Sequence, residues 1–286
     1  AISSPIIMSL TPALEAGDLP TIQSIISDIS HCNGKHARDS LQCSVNTAVV
    51  EFALQKNRPE LVSFLLDIPQ YSVNDLVSCL LEQYVSTGDT RWFRAFDHVS
   101  GCVAKKSVRS RIMGKTAEFL ISAGILQSEG RYISEGLDCI SHIAFKKYRS
   151  DCIVRCVPIL IPWSTDHNEF TLLYRALGLL TEVNDASKRA LCYSDLARAC
   201  ATVAVHKNDQ SLFLDSIRIT AEIPQNLKRR EAIRYIISTG IKSGFRRDLL
   251  SIPEFLTHFS DLHEGIQNDL IGALIEQFLL METDKI

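Results

Sequence analysis

Four arginines recur at one fixed interval, Arg109, Arg149, Arg189 and Arg229, and lysines crowd around them. The neighbours are Lys105, Lys106, Lys146, Lys147, Lys188 and Lys228, with Arg230 and Arg246-Arg247 extending the series. Guanidinium groups offer a planar fork of donors and ammonium groups a point charge, so a row of them holds phosphates or carboxylates. Set along one edge of a protein, such a row is the footprint of a nucleic-acid backbone or an acidic partner.

Other groups with chemical potential are fewer. Trp163, Asp166 and His167 follow Pro158 and Pro162, and proline inside a helix removes a hydrogen bond and crowds the preceding turn. A helix that is kinked or ends early there, leaving a longer loop over 158–169, is the expectation; the loop is an irregularity in the stack or, in the functional reading, a binding loop marked by Trp163, Asp166 and His167. His31, Cys32, His36 and Cys43 form a local concentration of metal-ligand types, but their spacing matches no zinc pattern, and no metal or cofactor is expected. Cys152 and Cys156 are one helical turn apart in apolar columns, where packing explains them. No nucleophile elbow, phosphate-cradling glycine loop or catalytic triad is present, which leans against an enzyme.

The elements that position these residues repeat with them. Six residues before each arginine stands Val103, Ile143, Val183 or Ile223; three after it stands Ile112, Cys152, Cys192 or Ala232. The following position holds Met113, Ile153, Tyr193 or Ile233, and an earlier column holds Phe93, Ile133, Leu173 or Phe213. Self-similarity at a period of roughly 20–50 residues is the mark of stacked supersecondary units. Asp67-Ile68-Pro69-Gln70 echoes Glu222-Ile223-Pro224-Gln225, and Ile252–Leu262 with Ile266–Leu280 reads as a further helix pair. No long period-two alternation supports a sheet. Residues 31–40 read as a polar turn region, Leu61–Leu66 as a helix, and Gly124, Gly240 and Gly244 as helix-terminating glycines.

The 286 residues carry a net charge of −3, too small to select nucleic acid or membrane by bulk charge, so only local patterning can. At 46% hydrophobic residues, a continuous core is available. Nine scattered cysteines fit a reducing, cytoplasmic setting better than a disulfide framework. No apolar run reaches the roughly 20 residues of a membrane span, and the N-terminal stretch lacks the basic region of a signal peptide.

The unit resembles the HEAT-type helical repeat, on an acidic residue or proline in the turn, then Arg, then a small residue three positions on. Here those are Glu222, Pro224, Arg229 and Ala232, and in the preceding copy Asp185, Arg189 and Cys192; Ala104 and Ala144 replace the turn proline elsewhere. The resemblance implies an all-α superhelix of about seven helical hairpins with a period of about 40 residues, its concave surface lined by the second helices. It would be a single solenoid over 1–286, with the most regular units at 90–245 and atypical caps at 1–50 and 246–286. It further implies a non-catalytic scaffold for a protein partner, with the arginines as a structural ladder on the turns. A basic stripe for nucleic acid is the alternative, and an enzyme near Trp163 and His167 a second one. The iron hydroxylases of HEAT-like build carry several His-Glu pairs, whereas His263-Glu264 stands alone here.

Overall fold

The structure, a computed structural model, describes residues 3–66, 73–243, 245, 249 and 251–283. Asp67-Ile68-Pro69-Gln70, Gly244 and Arg246-Arg247 lie outside the described residues. Every regular element among the described residues is helical. In order these are α1 (Ser3–Ala16), α2 (Leu19–Ser30), α3 (Lys35–Lys56), a 3-10 turn (Pro59–Phe64), α4 (Val73–Thr87), α5 (Thr90–Gly101), α6 (Lys106–Gln127) and α7 (Gly130–Ser141). There follow α8 (Lys146–Asp166), α9 (Phe170–Leu180), α10 (Ala186–Lys207), α11 (Gln210–Ile219), a 3-10 turn (Thr220–Glu222), α12 (Asn226–Ile241), α13 (Ile252–Thr257) and α14 (Glu264–Thr283).

Two compact units divide the chain, Ala1–Tyr148 and Arg149–Ile286. In the first, α1, α2 and α3 pack together, the 3-10 turn bridges α3 and α5, and α4 and α6 pair with the short helices that follow them. Trp92, Tyr84 and Phe96 are its largest fully buried side chains. In the second, α10 touches α9, α11 and α12, and α12 also packs on α14. Burying these apolar faces stabilises by roughly 25 cal/mol per Å² of apolar surface removed from water.

Helix starts follow the sequence period. Short helices begin at 90, 130, 170 and 210, and the long helices after them at 106, 146, 186 and 226. The junctions share one geometry. Ser128, Asn168 and Asn208 take the left-handed conformation at φ 55°, 54° and 52°. The next residue's N–H then reaches five positions back: Glu129 to Gly124 O, Glu169 to Ser164 O and Asp209 to Ala204 O, at 2.8–2.9 Å. That bond is the closing element of a Schellman cap, which satisfies carbonyls the helix end would otherwise orphan. Gly17-Asp18 and Asn57-Arg58 close α1 and α3 in the same way.

Several local expectations need correction. The segment after Pro158 is no loop: α8 runs through Pro158 and Pro162 to Asp166. Both prolines are exposed, so the carbonyls of Val154 and Pro158 that lose their partners lie on the solvent side, where water can satisfy them. Only 31–34 separates α2 from α3, and of the expected helix Leu61–Leu66 the residues 61–64 fall in a 3-10 turn while Leu65 and Leu66 lie beyond it. Gly124 and Gly240 sit inside α6 and α12 instead of ending them. A Cβ on Gly124 would lie 2.7 Å from Ile133 Cγ1 and 2.9 Å from Glu129 O. Glycine is there for close helix approach.

Candidate functional site

The column of arginines is tied to the turns that precede it and to neighbouring helices. Val103, Ile143, Val183 and Ile223 are all buried, and the carbonyls of Val103 and Val183 accept from the arginine six residues on. Arg109 Nη2 donates to Val103 O at 2.6 Å and to Gly101 O at 3.1 Å, and Arg189 Nη1 donates to Val183 O at 3.0 Å. Arg149 pairs with Glu182 at 2.8 Å. Arg229 pairs with Asp269 at 2.9 Å, and Arg230 takes that carboxylate's other oxygen at 2.9 Å.

The flanking cations divide by unit. In the second, Lys188 lies 3.8 Å from Asp151 and 3.9 Å from Asp185, Arg234 pairs with Glu276 at 2.9 Å, and Lys228 is half-buried. Acidic neighbours therefore neutralise most of the series there. In the first unit Lys105, Lys106, Lys146 and Lys147 are exposed and make no ion pair among the described residues. The Arg111 guanidinium lies over the Tyr148 ring, 5.4 Å from its centroid, and Nη2 donates to Tyr148 Oη at 3.1 Å. That contact sets the first turns of α6 and α8 side by side. Phe145 stands edge-on to Tyr148 with centroids 6.0 Å apart and is 43% exposed. The aromatic pair went unnoticed in the sequence, where the run Phe-Lys-Lys-Tyr at 145–148 is its one signal.

Trp163 lies in the last turn of α8, and His167 follows its end. Their rings stack at 4.2 Å, and His167 Nδ1 bonds to Trp163 O at 2.9 Å, so each occupies the other. Beside them a groove of about 520 Å³ crosses α8, α10 and α12, lined by Pro158, Pro162, Asp166, Asp195, Arg198 and Tyr235 among others. The Arg198 guanidinium lies over Tyr235, 5.6 Å from the ring centroid, and Thr202 Oγ1 and Tyr235 Oη are 3.0 Å apart. Arg198 Nε is buried and has no hydrogen-bond acceptor among the described residues.

The remaining candidates turn back on their own helices. His31 Nδ1 bonds to Ser27 O at 2.7 Å, and Cys32 Sγ donates to Asp28 O. His263 Nδ1 accepts from Gly265 N at 3.0 Å, capping α14. Among the described residues no three His, Cys, Asp or Glu side chains converge as a metal site would need. Cys152 and Cys156 sulfurs lie 3.8 Å apart, too far for the bonded sulfurs of a disulfide. Burial pushes the Cys200 thiol up to about 12, which keeps it protonated and a poor nucleophile. Burial also raises Glu135, although the Tyr84 hydroxyl donates to both its oxygens at 2.7 and 2.6 Å. No described helix is long and apolar enough to cross a membrane.

The chain matches no protein-family model, and neither curated proteins nor solved structures show a significant match.

Proposed function

We propose that the chain is a HEAT-like stack of helical hairpins that serves, in the cytoplasm, as a non-catalytic scaffold for a protein partner. The partner's docking segment lies in the groove across α8, α10 and α12. The observation that carries this reading is the unsatisfied Arg198 Nε at that groove. A buried donor without an acceptor costs about 1–3 kcal/mol, and a bound segment offering a carbonyl or carboxylate removes that cost. Arg and Tyr are also the side chains that dominate binding energy at interfaces, and here they stack on one another at the groove. The groove's walls come from three successive long helices, which makes the surface rigid and suited to an extended segment.

A photo-crosslinking residue at Tyr235 tests the reading in cells. A single captured partner, with affinity for the purified chain reduced about 30-fold or more by Arg198→Met, is the expected result. Capture that is indifferent to Arg198→Met, or a turnover activity abolished by Asp195→Asn, would overturn it.

A further inference from the structure

We infer that the first unit carries a binding surface for single-stranded nucleic acid, at the edge where α6 and α8 begin. This surface is separate from the groove of the second unit, and the scaffold reading does not require it.

Charge is the first ground. From His98 to Ala117 and from Cys139 to Tyr148 the chain contains no Asp or Glu, while it contains Lys105, Lys106, Arg109, Arg111, Lys115, Lys146 and Lys147. Arg109 is half-buried, donates through Nη2 to two turn carbonyls, and holds its Nε without an acceptor among the described residues. The next acid along α8, Asp151, faces Lys188 at 3.8 Å. The acid Glu129 caps the junction at the far end of α6. The full length of that helix lies between Glu129 and the lysines, several times the Debye length of about 8 Å. Asp97, Glu118 and Asp138 border these two stretches, but none of the four lysines makes an ion pair among the described residues, and the unit as a whole is close to neutral.

Placement is the second. Cations at a helix N-terminus oppose the macrodipole, and natural helices favour Asp or Glu there. α10 obeys the rule, with Asp185 capping Ser187 and Lys188. α6 breaks it, with Lys105 at the cap position, no side-chain cap bond and Lys106 next. α8 likewise starts with Lys146 and Lys147 and has no acid in its first turn. α12 departs from the rule in the same way, but there Asp269 takes Arg229 and Arg230; the four lysines of α6 and α8 have no ion pair among the described residues, and a bound anion would supply the missing charge.

The aromatic pair decides the kind of anion. Phe145 is exposed beside Lys146, and Tyr148 is already stiffened by Arg111 on one side and Phe145 on the other. A ring among lysines stacks on an unpaired base while the lysines take the adjoining phosphates, which is how single strands are held without sequence preference. A duplex keeps its bases stacked inside and offers Phe145 nothing. Aromatic side chains also serve at protein and bilayer interfaces, so the single-strand preference, the Phe145 variants and the vesicle control in the test separate those occupants from a single strand.

The test is fluorescence anisotropy of a labelled oligo(U) of about 20 nucleotides with the full chain at about 50 and about 200 mM salt. If Lys105, Lys106, Lys146 and Lys147 each neutralise one phosphate, affinity falls about 50-fold across that fourfold change in salt. Lys146→Gln with Lys147→Gln leaves two contacts and a fall of about sevenfold. Neither lysine bonds to a described residue, so this variant keeps its fold and melts no lower than the parent. Phe145→Ala weakens binding about 5- to 150-fold at fixed salt and leaves the salt dependence unchanged, and Phe145→Trp restores it. Any one of four results overturns the inference: no binding at the lower salt, a blunt duplex binding as well as the single strand, Phe145→Ala without effect, or phosphatidylserine vesicles bound through the same lysines in place of oligo(U).

Discussion

Asp269 offers a quantitative test of whether the arginine column belongs to the fold. Its carboxylate is 6% exposed and receives Arg229, 13% exposed, on one oxygen and Arg230, 62% exposed, on the other. Asp269→Ala removes both partners at once. Arg229 is then left as a nearly buried charge without compensation, which costs about 3–5 kcal/mol. Arg230 turns to water and adds less than about 1 kcal/mol. Arg229→Ala is milder, about 1–3 kcal/mol, because Arg230 still holds the carboxylate. Arg230→Ala alone costs under about 1 kcal/mol. The expected order of destabilisation is therefore Asp269→Ala, then Arg229→Ala, then Arg230→Ala. Urea unfolding followed by circular dichroism at pH 7 measures all three, and a double-mutant cycle between 229 and 269 isolates their coupling at about 1.5 kcal/mol or more. A coupling below about 0.5 kcal/mol, or equal losses for Arg229→Ala and Arg230→Ala, would refute the structural assignment and return Arg229 to the pool of ligand-binding groups.

Two further expectations concern the first unit and its packing counterpart in the second. Gly124→Ala gains about 1 kcal/mol of helix propensity. It also drives its Cβ into Glu129 O and Ile133 N, both backbone atoms at 2.9 Å, so the clash wins and thermal stability falls. The Cβ of Gly178→Ala meets nothing within 4 Å. That change raises stability by about 1 kcal/mol, and equal melting temperatures for the two variants would sink the close-approach argument. Burial raises both Glu135 and Asp97 above their ordinary carboxyl range, so the folded state holds these protons longer than the unfolded one. Their contribution favours folding at low pH and is lost as pH rises from the unfolded values, near 4.5 and 3.8, through the raised folded ones. Glu135→Gln, whose carbonyl still accepts from Tyr84, should flatten that decline in a series of unfolding curves from pH 4 to 8. An unchanged slope would show that Glu135 is not the group responsible.

The sequence pattern was most legible where one side chain has one job in every copy. The buried Val103, Ile143, Val183 and Ile223 and the arginine six residues later stand out because a packed turn tolerates little else. The junction residues were not legible as a column, since Ser128, Asn168 and Asn208 differ in type and share only a backbone state. Pro158 and Pro162 misled because the effect of a helical proline depends on whether the freed carbonyl faces water, which composition does not tell. Gly124 misled for the reverse reason, being needed for what approaches it. Of the groove at Arg198 only the α8 wall, with Pro158, Pro162 and Asp166, was marked in the sequence; Asp195, Arg198 and Tyr235 stand on two other helices and left no local signal. The basic edge was visible as a stripe, but its division into a neutralised part and a bare one depends on partners such as Glu182 and Asp269, distant in sequence from the cations they meet.

Ser128, Asn168 and Asn208 also set a rule for changes in chain length. Each leaves its helix at nearly the same φ and hands over to an acid whose N–H closes the same span back into the helix. Residues 169–208 therefore begin and end in a common backbone state. Joining Asn168 directly to Asp209 would replace Glu169 at φ −90°, ψ 76° by Asp209 at φ −100°, ψ 98°, a small change at the seam, and would keep the capping bond to Ser164 O available. Duplicating the segment would do the same in the other direction. The chain can thus grow or shrink by whole repeats with its joints intact, whereas half a repeat would set a short helix where a long one must dock.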